Sequence, residues 1–134
     1  MKKLYVPILF FVGILVTGCA SMDRKVKLEQ RAEDYARALR EGDELLLLNF
    51  VHPSQLIPFS RNSRQMKSLN FSNSEVRKIF PDADGKSAVV FMELEYFSND
   101  GSQLISNLRQ FRWTYDEKAK AWLLSESTPL GKMN

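Results

Sequence analysis

The sequence predicts an α+β fold: N-terminal helices packed on a curved antiparallel sheet in meander order. Three observations carry that prediction. Apolar residues recur at helical spacing from residue 24 to residue 51, the period changes to two after about residue 67, and turn clusters separate the later segments. Helices first and strands after place the helices on one face of the sheet.

Residues 24–41 read as an amphipathic helix. Leu28, Ala32, Tyr35, Ala36 and Leu39 form one stripe, and Lys27, Glu29, Arg31, Glu33, Asp34, Arg37 and Arg40 fill the solvated side. Gly42 ends the helix and Asp43 caps the next, which runs from Glu44 to Val51. Leu45, Leu46, Leu47 and Leu48 leave it little polar face, so burial on most sides is expected. Pro53 closes it. Residues 54–66, with Pro58 and Ser60-Arg61-Asn62-Ser63-Arg64, read as an irregular connection or a short helical turn. Strands are expected at 67–73 and 75–81, with Pro81-Asp82-Ala83-Asp84-Gly85 as a turn. A long strand follows at 87–98. Asn99-Asp100-Gly101 is the clearest hairpin signal, and 103–115 returns from it. Asp116 to Lys120 connects to a last strand at 121–127, and the tail 129–134 is expected to fray.

The N-terminus carries an address. Lys2 and Lys3 precede an apolar run from Leu4 to Val16, the pattern of a secretory signal peptide. The run is too short for a spanning helix, which needs about 20 apolar residues. Val16-Thr17-Gly18-Cys19 resembles the lipobox of bacterial lipoproteins. The resemblance implies removal of residues 1–18, acylation of Cys19 with palmitate-type chains and a membrane partner reached through that lipid anchor. Residues 19–27 would be a tether reaching about 25–30 Å, ahead of one domain at 28–128. The resemblance places the expected site in the cell envelope, and Ala20, where Asp would signal inner-membrane retention, implies the periplasmic face of the outer membrane if the cell is Gram-negative.

Composition excludes several classes. The 134 residues carry 19 Lys/Arg against 16 Asp/Glu, and loss of Lys2 and Lys3 with a leader leaves 17 against 16. The basic pI is therefore no argument for nucleic-acid binding. One cysteine, Cys19, and one histidine, His52, exclude an internal disulfide and a histidine-rich metal site. No phosphate loop, nucleophile elbow, zinc spacing or calcium loop occurs, and no cofactor is expected.

Tyr35-Ala36-Arg37-Ala38-Leu39-Arg40-Glu41-Gly42-Asp43, followed by Leu45, Leu48 and Phe50, resembles the opening of nuclear transport factor 2-like domains. Phe111-Arg112-Trp113-Thr114-Tyr115 and Lys120-Ala121-Trp122-Leu123-Leu124 are similar to their closing hairpin. The resemblance implies a cone: a strongly curved sheet wrapped round helices, often enclosing a pocket. Segment 54–66 departs from the third helix of larger members.

Four residues are candidates for such a pocket: Glu93, Glu95, Arg109 and His52. A carboxylate or an imidazole there is what a polyketide-cyclase-like or ketosteroid-isomerase-like enzyme of that superfamily would use as general base. Asp43 is explained by its cap, and His52 equally by a role at a helix end. Register decides the pairing of the two glutamates. A hairpin loop of odd length sets Glu93 opposite Arg109, whereas an even one sets Glu93 opposite Leu108 and moves Arg109 to the other face. Arg61, Arg64, Lys67, Arg77 and Lys78 are candidates for contact with anionic headgroups. The expected function is a non-enzymatic envelope module binding a small apolar ligand or a protein partner. The alternatives are a small acid–base enzyme and a structural subunit of an envelope complex.

Overall fold

The computed structural model describes residues 6–67, 69–98, 100–126 and 128–133, with side chains at 23–63, 69–98, 100–126 and 128–131. Helix α1 spans Val6–Glu41. It is continuous through Gly18 and Cys19, so the segment 19–27 read as a tether is helical. The stripe read from the sequence is the core-facing stripe: Leu28, Ala32, Tyr35, Ala36 and Leu39 are all buried. Gly42 terminates α1, with φ +67° and its N–H donated to Ala38 and Leu39 carbonyls.

Asp43 caps α2, Glu44–Leu48, by accepting the Leu46 N–H at 3.2 Å. This helix is shorter than expected. Of its leucines Leu47 is buried, whereas Leu45 and Leu46 are exposed, so burial on most sides is corrected. A 3-10 turn at Pro53–Gln55 leads into α3, Leu56–Lys67, a full helix where an irregular connection or a short helical turn was expected. Pro58 sits in its first turn, where a missing N–H costs nothing. Ser60 and Arg61 are exposed on it, while Phe59 and Ser63 are buried.

The sheet runs β1-β2-β3-β4, each pair antiparallel, with β5 beside β3. β1, Asn70–Pro81, is one strand where two were expected, and register shifts around Ser72 and Arg77 kink it. β2, Ser87–Phe97, joins β3, Leu104–Asp116, through a loop held by an Asp100 carboxylate. That carboxylate accepts from the Ser98 and Ser102 hydroxyls and the Ser102 N–H, which depresses its pKa to about 2. Asn99 lies outside the described residues. β4 is Ala121–Leu124 and β5 is Lys132–Met133.

The inner sheet face meets the helices. Ala88, Val90, Met92, Leu94, Phe111 and Trp113 are fully buried there. Tyr35 sits edge-on to Phe50, Phe111 and Trp113 at 5.4–5.6 Å. Its hydroxyl donates to the Pro129 carbonyl at 2.8 Å, and burial pushes the phenol pKa up. The tail does not fray, because Tyr35 holds Pro129 and β5 pairs with Arg109 and Gln110. Arg31, expected on the solvated face, is a clamp. It donates to the Trp122 carbonyl at 3.1 Å and the Asn49 carbonyl at 2.7 Å, over the Phe50 ring at 4.2 Å.

Gly131 passes close over β3 with φ +68°. A Cβ there collides with the Gln110 carbonyl and comes within 3.2 Å of the Phe111 ring. We expect Gly131→Ala to cost about 2–3 kcal/mol in urea unfolding. Gly85→Ala, also at positive φ but facing open space, should cost only about 1 kcal/mol. Tyr35→Phe should cost about 1–2 kcal/mol in the same measurement, by stranding the Pro129 carbonyl.

Candidate functional site

The hairpin register pairs Phe97 with Leu104 and Glu93 with Leu108. Six residues, 98–103, separate the paired positions, so the loop is even. Glu93 and Arg109 therefore lie on opposite faces, and the cross-strand pair is corrected. Glu93 finds another partner. The bulge at Arg77 turns that side chain to the outer face, where its guanidinium donates to Glu93 at 2.6 and 2.7 Å and to Glu75 at 3.2 Å. Ser106 adds its hydroxyl to Glu93 at 3.1 Å. The Arg77 hydrogen bond, then that of Ser106, holds the Glu93 carboxyl below its ordinary value.

Apolar residues flank this ionic bar. Phe80 packs edge-on against Phe91 at 5.6 Å, with the Lys78 ammonium 5.5 Å above the Phe80 ring. Phe80 pairs with Val89 on the neighbouring strand, and Leu108 is diagonal to Phe91. At the far end Phe97 faces Leu104 directly. Phe80, Phe97, Leu104 and Leu108 remain 47, 40, 56 and 45% exposed. An antiparallel sheet with one face on the core usually presents a polar second face. This outer face departs from that pattern. The signal was present in the sequence as Phe80, Val89, Phe91, Phe97, Leu104 and Leu108 at even and odd strand positions, but it needed the register to resolve into one surface.

The other candidates are dispersed. Glu95 lies on the outer face opposite Ser106. His52 lies beside β4, its N–H on the Leu124 carbonyl at 2.9 Å. Its Nδ1 accepts the Ser54 N–H at 3.2 Å and caps the 3-10 turn. Arg109 is inside, under the helices. Arg61 is on α3, while Arg77 and Lys78 are on β1. The side chains of Cys19, Arg64 and Lys67 lie outside the described residues. Among the described residues the inner face is filled by buried side chains, and no cone-shaped chamber opens there. Spaces open elsewhere, one of about 420 Å³ beside Ser98, Asp100, Ser102 and Gln103. A groove of about 530 Å³ runs between α1 and β1, and a space of about 230 Å³ lies beside Gly42, Ser63 and Phe71. Among the described residues no cluster of His, Cys, Asp or Glu could hold a metal ion, and no helix is long and apolar enough to cross a membrane.

No protein-family model matches the chain, and no curated protein does. Solved structures do. One is a SEC-C motif containing protein from Rhodopseudomonas palustris, at 15% identity and a TM-score of 0.54, with 67% of this chain and 68% of that one covered. Another is a SEC-C motif containing protein from Psychrobacter arcticus, at 16% identity and a TM-score of 0.55, with 81% of this chain and 62% of that one covered. The fold is similar to that of SEC-C motif containing proteins. At such identities the likeness concerns the fold alone. It corrects the resemblances read from the sequence, since the neighbours are neither lipoproteins nor nuclear transport factor 2-like domains by description. The residues that suggested the latter are a helix stripe, a cap and an aromatic hairpin. Any α+β domain with helices on an antiparallel sheet needs these.

Arg77→Ala should move the Glu93 carboxyl upward toward its ordinary value in a carbon-detected NMR titration, with the Ser106 hydroxyl still holding it down in part.

Proposed function

We propose that this domain is a non-catalytic protein-binding module and that the outer sheet face is its contact surface. One observation carries the reading: Phe80, Phe91, Leu108, Phe97 and Leu104 line a solvent-facing sheet around the Arg77–Glu93 ion pair. Apolar side chains grouped round a polar centre are what protein interfaces bury. An edge-to-face pair such as Phe80 with Phe91 adds rigid anchors at small entropic cost. Glu93 and Glu95 on the outer sheet face and His52 as a turn cap give a pocket general base no support. Lys2, Lys3 and the apolar run 4–16 support placing the module in the cell envelope, with an envelope protein as partner.

A photo-crosslinking residue in place of Leu108, in the full chain expressed in cells, tests the surface. We expect one discrete adduct at position 108 and none at Lys120, a turn position remote from this face. Phe80→Lys should abolish the adduct while changing folding stability by no more than about 0.5 kcal/mol. Equal labelling at 108 and 120, or an adduct indifferent to Phe80→Lys, would overturn the proposal.

A further inference from the structure

Along the inner side of β3, burial decreases in order. Trp113 and Phe111 are fully buried, Arg109 is 7% exposed, and Asn107 and Ile105 are half-buried. Arg109 is therefore the last closed position before the sheet opens, and a guanidinium occupies it. Its Nε is sealed from solvent and has no hydrogen-bond partner. Among the described residues it makes no ion pair, the pairs there belonging to Arg24, Lys27, Arg37 and Arg77. A buried donor without a partner destabilises a fold unless something compensates it. Trp113 Nε1 is also an orphan donor, but it is neutral and enclosed by the aromatic cluster.

The surroundings of Arg109 are chemically specific. Asn107, next along the same face, donates its amide to the Tyr96 hydroxyl at 2.8 Å. That bond leaves the second amide hydrogen and the phenolic proton as donors. Tyr96 in turn meets Phe71 edge-on at 5.9 Å, and both rings are half-buried. Cation, two polar donors and an aromatic wall thus follow one another along the half-buried end of the inner face. Successive inward positions on a strand are about 7 Å apart, the length of a small aromatic acid.

We propose that Arg109 anchors an anion-binding site whose ligand is a small carboxylate with a flat apolar body. The guanidinium fork takes the carboxylate, Asn107 and Tyr96 donate to its outer oxygen, and the apolar body lies against Tyr96 and Phe71. The site is separate from the outer face and does not depend on the reading of that face.

Benzoate is the probe, titrated into the full chain at constant ionic strength. Two quantities are followed: the Arg109 side-chain Nε–Hε resonance and the melting temperature. We expect the resonance to move downfield and saturate, and the melting temperature to rise with benzoate. Acetate should bind about tenfold more weakly, because it lacks the apolar body, and so should inorganic phosphate. Asn107→Leu should weaken benzoate about fivefold, and Arg109→Met should abolish the thermal gain. The methionine keeps the apolar stem and removes the buried charge, a replacement that cores often tolerate. Should Arg109→Met fail to fold, the wild-type resonance still decides. An Arg109 signal that is already downfield and does not respond to benzoate overturns the proposal. So does a thermal gain that persists in Arg109→Met, or phosphate binding as tight as benzoate.

Discussion

Everything on the inner side of this fold depends on one side chain, Tyr35. It lies in the middle of the buried stripe of α1 and is fully enclosed. Its ring is edge-on to three aromatic rings from two other elements: Phe50 after α2, and Phe111 and Trp113 on β3. Its hydroxyl leaves this apolar cluster only to meet the Pro129 carbonyl. A buried phenol must be hydrogen-bonded, and the one acceptor it reaches belongs to the tail. The requirement of a single polar atom thus pulls the tail onto the sheet. Gly131 follows because only a residue without Cβ passes β3 so closely, and β5 then pairs with β3. Helix, sheet and tail become one packed unit.

The two ends of α1's contact are secured differently. Ser74 donates its hydroxyl to the Ala36 carbonyl, tying the C-terminal half to the edge strand β1. Nearer the N-terminal half, Arg31 reaches backbone carbonyls of β4 and of the turn after α2, and the Trp122 indole donates to the Arg24 carbonyl at 3.0 Å. These are side-chain to main-chain bonds over long sequence separations. They fix the angle of the helix across the sheet, a job that apolar stripes alone perform loosely because the hydrophobic effect is non-directional.

How much of this was legible in the sequence follows from the range of each interaction. The α1 stripe, the Gly42 stop, the Asp43 cap and the long hairpin are set by residues a few positions apart, and all could be read. Segment 56–67 could not, because Pro58 looks like a breaker until one knows it occupies a first turn. β1 looked like two strands because the kinks around Ser72 and Arg77 break the two-residue period. The docking of the tail was invisible, since its cause is a tyrosine 94 residues away. Arg31 read as surface charge for the same reason. The family resemblances failed in a related way: they rested on local packing patterns, which many domains with this layout share.

The candidate site shows how sharply a long-range detail can divide function. Between Phe97 and Leu104 the loop has an even number of residues. One residue more or fewer would exchange the two faces along the whole pairing of β2 with β3. Glu93 and Arg109 would then face each other and neutralise one another. With the even loop, Glu93 stands in solvent and is met instead by Arg77, whose bulge brings it to that face. Arg109 is left inside, its Nε without a hydrogen-bond partner and its side chain without an ion pair among the described residues. The same parity sets Leu104 and Leu108 outward and Phe111 and Trp113 inward. An apolar outer surface and a buried cation are therefore two consequences of one loop length. A module built this way has a distinct chemical feature on each side of a single sheet, and β2 and β3 contribute to both.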